Sequence, residues 1–281
     1  GKFVEFYGDG LASLPLGRED IAFHLLINGS TDRTAAIARA VTAEKSGIII
    51  HELNQGGKSR TWNRFVYDNL PTPVPETVVF MDGDAEIAPG SFDALAQVLR
   101  DQPGVNAVAG MPLNGRSHIA YQELIREEGG VFGDLYALRG AFLQRMRDAN
   151  LKLPLDLVGD DGLIGAWAAT NLGSDANWDR ARVSHAENAG FLCEPIAPLS
   201  PHAWRLQYKR MISYGVRFFQ GRIINHIMST EGPHALPERM SNLYSEWLPR
   251  LRPRAGLANA LFDRLALRRM TKVAPSQTIR R

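Results

Sequence analysis

One cysteine, Cys193, stands in 281 residues. A single thiol excludes an internal disulfide framework and suits a reducing compartment. The sequence has no run of about 18 apolar residues, the length a helix needs to cross a bilayer, and no signal-peptide pattern. Its net charge is only +2, too small for bulk attraction to nucleic acid. No repeat of fixed period and no low-complexity tract breaks the chain. The opening GKFVEFYGDG lacks an initiator methionine. These absences set the expectation of a cytoplasmic chain with no nucleic-acid partner. They leave the oligomeric state open.

What is present is an ordinary globular composition, 44% apolar and 22% charged, long enough for one large α/β domain or two small ones. IAFHLLIN (21–28), SGIIIHEL (46–53), TVVFMD (77–82) and VNAVAGMP (105–112) read as short apolar strands. Helical patterns separate them: TDRTAAIARAVTAE, with Thr31 or Asp32 as N-cap, then KSRTWNRFVYDNL and APGSFDALAQVLRD. This alternation predicts an α/β fold with a mostly parallel sheet flanked by helices. Ligands on such sheets bind at the carboxyl ends of the strands. The turns GSTD, NQGGKS and DGD each follow a strand directly, which predicts that all three share one rim of a single sheet. Past residue 200 the texture becomes helical, aromatic and basic. The expected division is therefore a main domain over 1–200 and a helical C-terminal extension over 201–281, the last ten residues mobile.

VVFMDGDAEI (78–87) poses the chemical question, because its apolar run ends in Asp82 and Asp84 with Gly83 between them. Two carboxylates one residue apart at a strand end can hold a hard divalent cation, Mn2+ or Mg2+, and through it a diphosphate. They can equally make a turn and cap the next helix. Gly56 and Gly57 allow close backbone approach to a ligand, with Lys58 in reach of a phosphate and Asn63 in reach of a hydrogen bond. A glycine turn beside a surface lysine would have the same spelling.

Five segments then fall in a meaningful order: INGSTDRT, NQGGKSRTWN, FMDGDAEI, LVGDDGLIGAWA and QYKRM. Together they resemble the family two glycosyltransferases of the GT-A, Rossmann-like fold, over roughly residues 23–217. The resemblance implies an inverting, metal-dependent transfer of a sugar from a nucleotide-diphosphate donor to a hydroxyl acceptor. That acceptor would be a saccharide, a lipid-linked saccharide or a small molecule. It implies Asp84 as the main metal contact, with Asp82 nearer the ribose or sharing the ion. Asn28, Lys58, Asn63 and Gly83 would belong to the donor pocket. Asp161 would be the general base and Asp160 its positioning partner, although two acids at a helix start also suit the helix dipole. His185 is a candidate third metal ligand, set against a purely structural histidine. Gly133, Asp134 and Tyr136 are candidates for the acceptor side. Gln207 and Arg210 keep Gln-x-x-Arg spacing, Met211 replaces the tryptophan that would follow, and Arg210 would approach the diphosphate.

The sequence departs from the family pattern twice. Ile27 stands where the family has an acid, and Asp32 reads better as a helix cap. The family's first strand, ending Pro-x-x-Asn-Glu, has no counterpart before Phe23, where LASLPLGRED reads as the connection that would follow it. Two other readings therefore stay open: a sugar-nucleotide nucleotidyltransferase, and a GT-A binding module without turnover. Finally, Leu257, Leu261 and Leu265 share one helical face with arginines nearby. This stripe is expected to pack on the main domain; the alternative is peripheral contact with the inner face of an anionic membrane.

Overall fold

The computed structural model describes residues 14, 18–43, 47–115, 117–193 and 200–275. The expected connection over 11–20 lies mostly outside these residues, and so do 276–281 of the expected mobile end.

Strand β1 (Phe23–Asn28) and strand β2 (Ile48–Leu53) pair in parallel, Phe23 opposite Ile48 through Asn28 opposite Leu53. Parallel neighbours need a crossover, and helix α1 (Thr34–Thr42) supplies it. Asp32 holds its first turn, its carboxylate accepting the Thr34 amide at 3.0 Å. Helix α2 (Lys58–Arg64) follows, extended by a wider turn over Phe65–Asn69.

A second sheet has five strands: β3 (Thr77–Met81), β4 (Ala85–Ile87), β5 (Ala107–Pro112), β6 (Leu135–Arg139) and β7 (Val183–Cys193), in the order β3-β6-β5-β7-β4. Only β5 and β7 run parallel; the other three pairings are antiparallel. The architecture is thus a mixed sheet flanked by helices, with β1 and β2 forming a sheet of their own. The expectation of one mostly parallel sheet is corrected here, for a physical reason. β5 is buried at all six residues and β6 at four of five. A strand covered on both faces reads as an unbroken apolar run whichever way its neighbours point.

The outer edge of β1 and the outer edge of β3 have no ladder partner among the described residues. Both strands line one cavity of about 1540 Å³ between the two sheets.

Helices cover the second sheet on both sides. On one face α3 (Ser91–Asp101) sets Leu95 and Leu99 against Ile87, Val108 and Phe191. On the other lie α5 (Gly140–Asp148) and α6 (Asp160–Thr170), with Phe142 and Trp167 fully buried. Helix α4 (His118–Glu128) packs at the end of β5 through Ile125. Beyond residue 200 the chain joins this same core. Helix α7 (Pro201–Thr230) starts with Ser200 accepting the Ala203 amide and proline in its first turn, and it buries Phe219, Ile223 and Ile227 beside Trp62 and Trp167. Short helical turns over residues 240–250 lead to helix α8 (Leu257–Val273). Among the described residues no helix is long and apolar enough to cross a membrane.

One buried charge fastens α8. Asp263 is fully buried and accepts three bonds from Arg254: its amide at 2.8 Å, Nε at 3.0 Å and Nη2 at 2.7 Å. Asp263→Ala deletes all three and should cost about 2–3 kcal/mol. In urea titrations the midpoint should fall with the slope unchanged; an unaltered midpoint would show that α8 is held by apolar packing alone.

Candidate active site

Three turns meet although they belong to two sheets. Gly29 (φ +62°) sits directly over Gly56, where any Cβ would overlap the Gly56 backbone. Asn28 then bridges the turns, its Oδ1 accepting the Gly57 amide at 2.7 Å and the Thr61 hydroxyl at 2.9 Å. This fixes the start of α2, whose first residue, Lys58, reaches Asp82 at 2.7 Å. The end of β1, the start of α2 and the end of β3 are therefore linked hand to hand at the mouth of the cavity.

Asp134 completes an acidic cluster there. The Asp82 amide donates to the Asp134 carbonyl at 3.2 Å, which carries the β3–β6 pairing one step into the loops. Asp82, Asp84 and Asp134 each bring a carboxylate oxygen within 4.8 Å of the others. Burial pushes Asp82 up to about 6 against the pull of Lys58, with Asp134 and Asp84 adding to the rise. Asp134 is raised by burial and then by Asp84. At the end of β7, the Cys193 thiol lies 3.7 Å from Asp134 and is pushed up to about 12, first by burial and then by that carboxylate. Three gathered carboxylates, two of them holding protons more tightly than usual, fit a hard divalent cation that oxygen ligands would satisfy.

Behind the cluster stands a stack of rings. Phe80 stacks on both Trp62 and Tyr136, its centroid 5.5 and 5.1 Å from theirs, and the Trp62 indole donates to the Tyr136 hydroxyl at 3.0 Å.

The second acidic group opens α6. Gly159 (φ +89°) turns the chain, and its missing side chain admits Arg217 from α7, which would otherwise meet a Cβ at 2.5 Å. Arg217 bonds Asp161 at 3.1 Å. Asp160, deeper, is raised by burial, with Lys58 opposing and Asp161 adding. The approach to this pair is clamped from three sides. Ser59 donates to the Leu157 carbonyl at 3.2 Å, Gln220 accepts the Val158 amide at 2.8 Å, and Asp156 accepts the Met240 amide at 2.6 Å. Lys58 feels both acidic groups. Burial lowers its affinity for a proton, but Asp160, Asp82 and Asp161 outweigh that and raise it.

Asn28, Lys58, Asp82, Gly83, Asp84, Asp160 and Arg210 all line the one cavity. Asp161 stands next to Asp160 without lining the cavity, and two further candidates lie elsewhere. Asn63, expected in the donor pocket, is buried and spent on the backbone of Leu153, to which it donates at 2.8 Å and from which it accepts at 3.0 Å. His185, expected as a metal ligand, is outside the acidic cluster: it sits mid-strand opposite Ala109 and pairs with Glu187 at 3.2 Å, which Arg126 also holds. Asp134, expected on the acceptor side, is the third carboxylate of the cluster instead. It is the sole acid in GGVFGDLYALRGAFL and stands where an apolar strand begins, a signal of the kind that marked Asp82. Arg217 carried no such signal, being 56 residues from its partner.

The glycosyl transferase family 2 pattern matches residues 11–152. The chain belongs to this family and is a glycosyltransferase, with a mixed α/β fold. No curated protein matches it in sequence. Among solved structures it is similar to residues 1–349 of S. aureus TarS, at 14% identity and a TM-score of 0.48, over 98% of this chain and 77% of that one. Longer TarS gives the same identity and score, with 47% of its length covered. GalNAc-T7, solved with UDP, GalNAc and Mn2+, is similar at 9% identity and a TM-score of 0.39, over 72% of this chain and 45% of that one.

The acidic cluster has a pH signature. Folding raises Asp82 from 3.8 to about 6, so the folded chain holds this proton more tightly than the unfolded chain. The stability this contributes is complete below about pH 4 and is lost as pH rises through about 6. Asp82→Asn cannot ionise, so the difference in Tm between variant and parent should move in the variant's favour from pH 4 to 7 in metal-free buffer. A constant difference across that range would contradict the assignment.

Proposed function

We propose that the chain transfers a sugar, with inversion, from a nucleotide-diphosphate donor to a hydroxyl acceptor, and that a divalent cation takes part. The observation that carries this is a pair of acidic groups, Asp82, Asp84 and Asp134 in one and Asp160 and Asp161 in the other, with Lys58 under the charge of both and Asp82, Asp84, Asp160 and Lys58 lining one cavity. Asp84 and Asp134, with Asp82, would hold the cation, Mn2+ or Mg2+. When bound, it would offset the charge that grows on the departing diphosphate. Arg210, on the same cavity wall, would meet the diphosphate from the opposite side.

The two members of the acid pair are suited to different tasks. An inverting transfer needs one carboxylate to take the acceptor proton while the hydroxyl attacks the anomeric carbon. Asp160 is deeper and holds its proton more tightly, which suits it to positioning. Asp161 is held by Arg217 through one oxygen, which leaves its other oxygen to receive a proton. Lys58 keeps the two acidic groups from repelling each other and would neutralise part of the donor's charge. Product analysis tests the reaction class. Release of nucleoside diphosphate supports transfer, whereas pyrophosphate exchange would mark a nucleotidyltransferase, and neither product would mark a binding module.

Two substitutions separate donor binding from catalysis. Asp84→Ala removes an exposed rim carboxylate, so the fold should persist while manganese-dependent donor binding disappears in calorimetry; unchanged affinity would sink the metal assignment. Asp161→Asn should bind donor as the parent does and lose turnover by about 10²-fold or more, because the amide keeps the shape and cannot take a proton. Near-parental turnover in Asp161→Asn with a large loss in Asp160→Asn would exchange the two roles.

A further inference from the structure

Helix α7 contains Arg205, Lys209, Arg210, Arg217 and Arg222 and no aspartate or glutamate. Helix α8, packed along it, adds Arg264, Arg268, Arg269 and Lys272, and its one acid, Asp263, is buried against Arg254. In a chain of net charge +2 this is a strong local separation of charge. Between the helices runs a groove of about 970 Å³ lined by Lys209, Ile212, Leu265, Arg268, Arg269 and Lys272, with no carboxylate in it.

The face of α8 turned away from the core is amphipathic along its length. Asp263, Ala266 and Met270 point inward. On the opposite side Leu257 is 94% exposed and Leu261 53% exposed, one and two turns before the basic run Arg264, Arg268 and Lys272. Of the leucine stripe expected to pack on the main domain, Leu265 is half-buried in the groove, whereas Leu257 and Leu261 are left in solvent because the helix packs through its other face. Two exposed leucines on one face, beside cations that have no carboxylate partner among the described residues, call for a partner that is both apolar and anionic. A nucleic acid would answer the charge and not the leucines. An anionic bilayer answers both: phosphate headgroups meet the basic groove, and the leucines enter the acyl boundary.

We propose that α7 and α8 form a docking face for an anionic phospholipid membrane. Placement gives it a purpose. The face of α7 that carries Leu206, Gln207 and Arg210 lines the candidate active-site cavity, while the neighbouring face with Lys209 and Ile212 lines the basic groove. Docking would hold the cavity beside the headgroup layer, where a lipid-borne hydroxyl acceptor would be presented. This last step rests on the transferase reading; the docking itself does not.

The test is co-sedimentation of the full chain with vesicles of phosphatidylcholine alone and with one quarter phosphatidylglycerol, at physiological ionic strength. Binding is expected only to the anionic vesicles. Arg268→Glu with Lys272→Glu should lower the bound partition at least about tenfold, and Leu257→Glu with Leu261→Glu should lower it comparably. All four positions are exposed, so the thermal melts of both variants should match the parent, and manganese-dependent donor binding by calorimetry should be unchanged. Loss of vesicle binding by the parent with donor binding intact would overturn the docking face alone; vesicle binding without donor binding would leave docking standing and remove the transferase reading. Equal binding to both vesicle types, or variants that bind as the parent does, would overturn the proposal. So would binding of an oligonucleotide that the leucine substitutions leave untouched, since that would assign the groove to nucleic acid. A dimer in lipid-free buffer that Leu257→Glu with Leu261→Glu dissolves would assign the face to a second copy.

Discussion

Lys58 reaches Asp82 at 2.7 Å while its charge also acts on Asp160 and Asp161. Remove that ammonium, and five carboxylates, three of them lining one cavity, are left without the lysine charge that stands among them. Like charges this close in a site of reduced dielectric repel by several kcal/mol, so the chain could not gather them without a cation of its own. The pair does more than neutralise. It ties the first turn of α2 to the end of β3, and so joins the small sheet to the large one at the place where chemistry would occur. Asn28, Gly29 and Gly56 serve the same end from the other side by seating β1 on α2. The rim is thus assembled by side-chain and turn contacts rather than by strand pairing.

The second half of the site is built from further along the chain than the family pattern reaches. That pattern ends at residue 152, whereas the acid pair stands at 160 and 161 and its supports come later still. Arg217 and Gln220 of α7, together with Asp156 anchored on the residue 240–241 backbone, fix the pair's approach. The C-terminal helices are therefore part of what aims the acids, besides filling the core with Phe219 and Ile223.

Much of this was legible in the sequence, and the rest was hidden for definite reasons. Strands β1, β2, β3 and β5 and the long C-terminal helix show as apolar runs and periodicity, and the Asp-Gly-Asp turn shows because charge ends an apolar run abruptly. Strand direction in the second sheet does not show, since β5 and β6 are buried on both faces and alternation is lost. The position of Asn63 outside the cavity does not show, because an asparagine one turn into a helix looks the same whether it meets a ligand or a backbone; only Leu153, 90 residues on, decides. Nor does the position of His185 outside the acidic cluster, its partner Glu187 being two residues away on the same face of β7. The place of Asp134 beside Asp82 does not show either, because the β3–β6 pairing that sets it there is a long-range contact. Arg217 could not be found at all without α7 in place.

The gap between β1 and β3 bears on how the molecule keeps its own company. Two strand edges without a ladder partner among the described residues would ordinarily invite a neighbouring copy to pair, the first step toward ordered aggregates. Here the two edges line a shared hollow instead of facing outward. A passing strand would have to thread into the hollow between two walls, past Phe23 and Phe92 on one side and the Pro75 turn on the other, to reach them. Geometry then serves the purpose that charged or proline-bearing edges serve in other sheets.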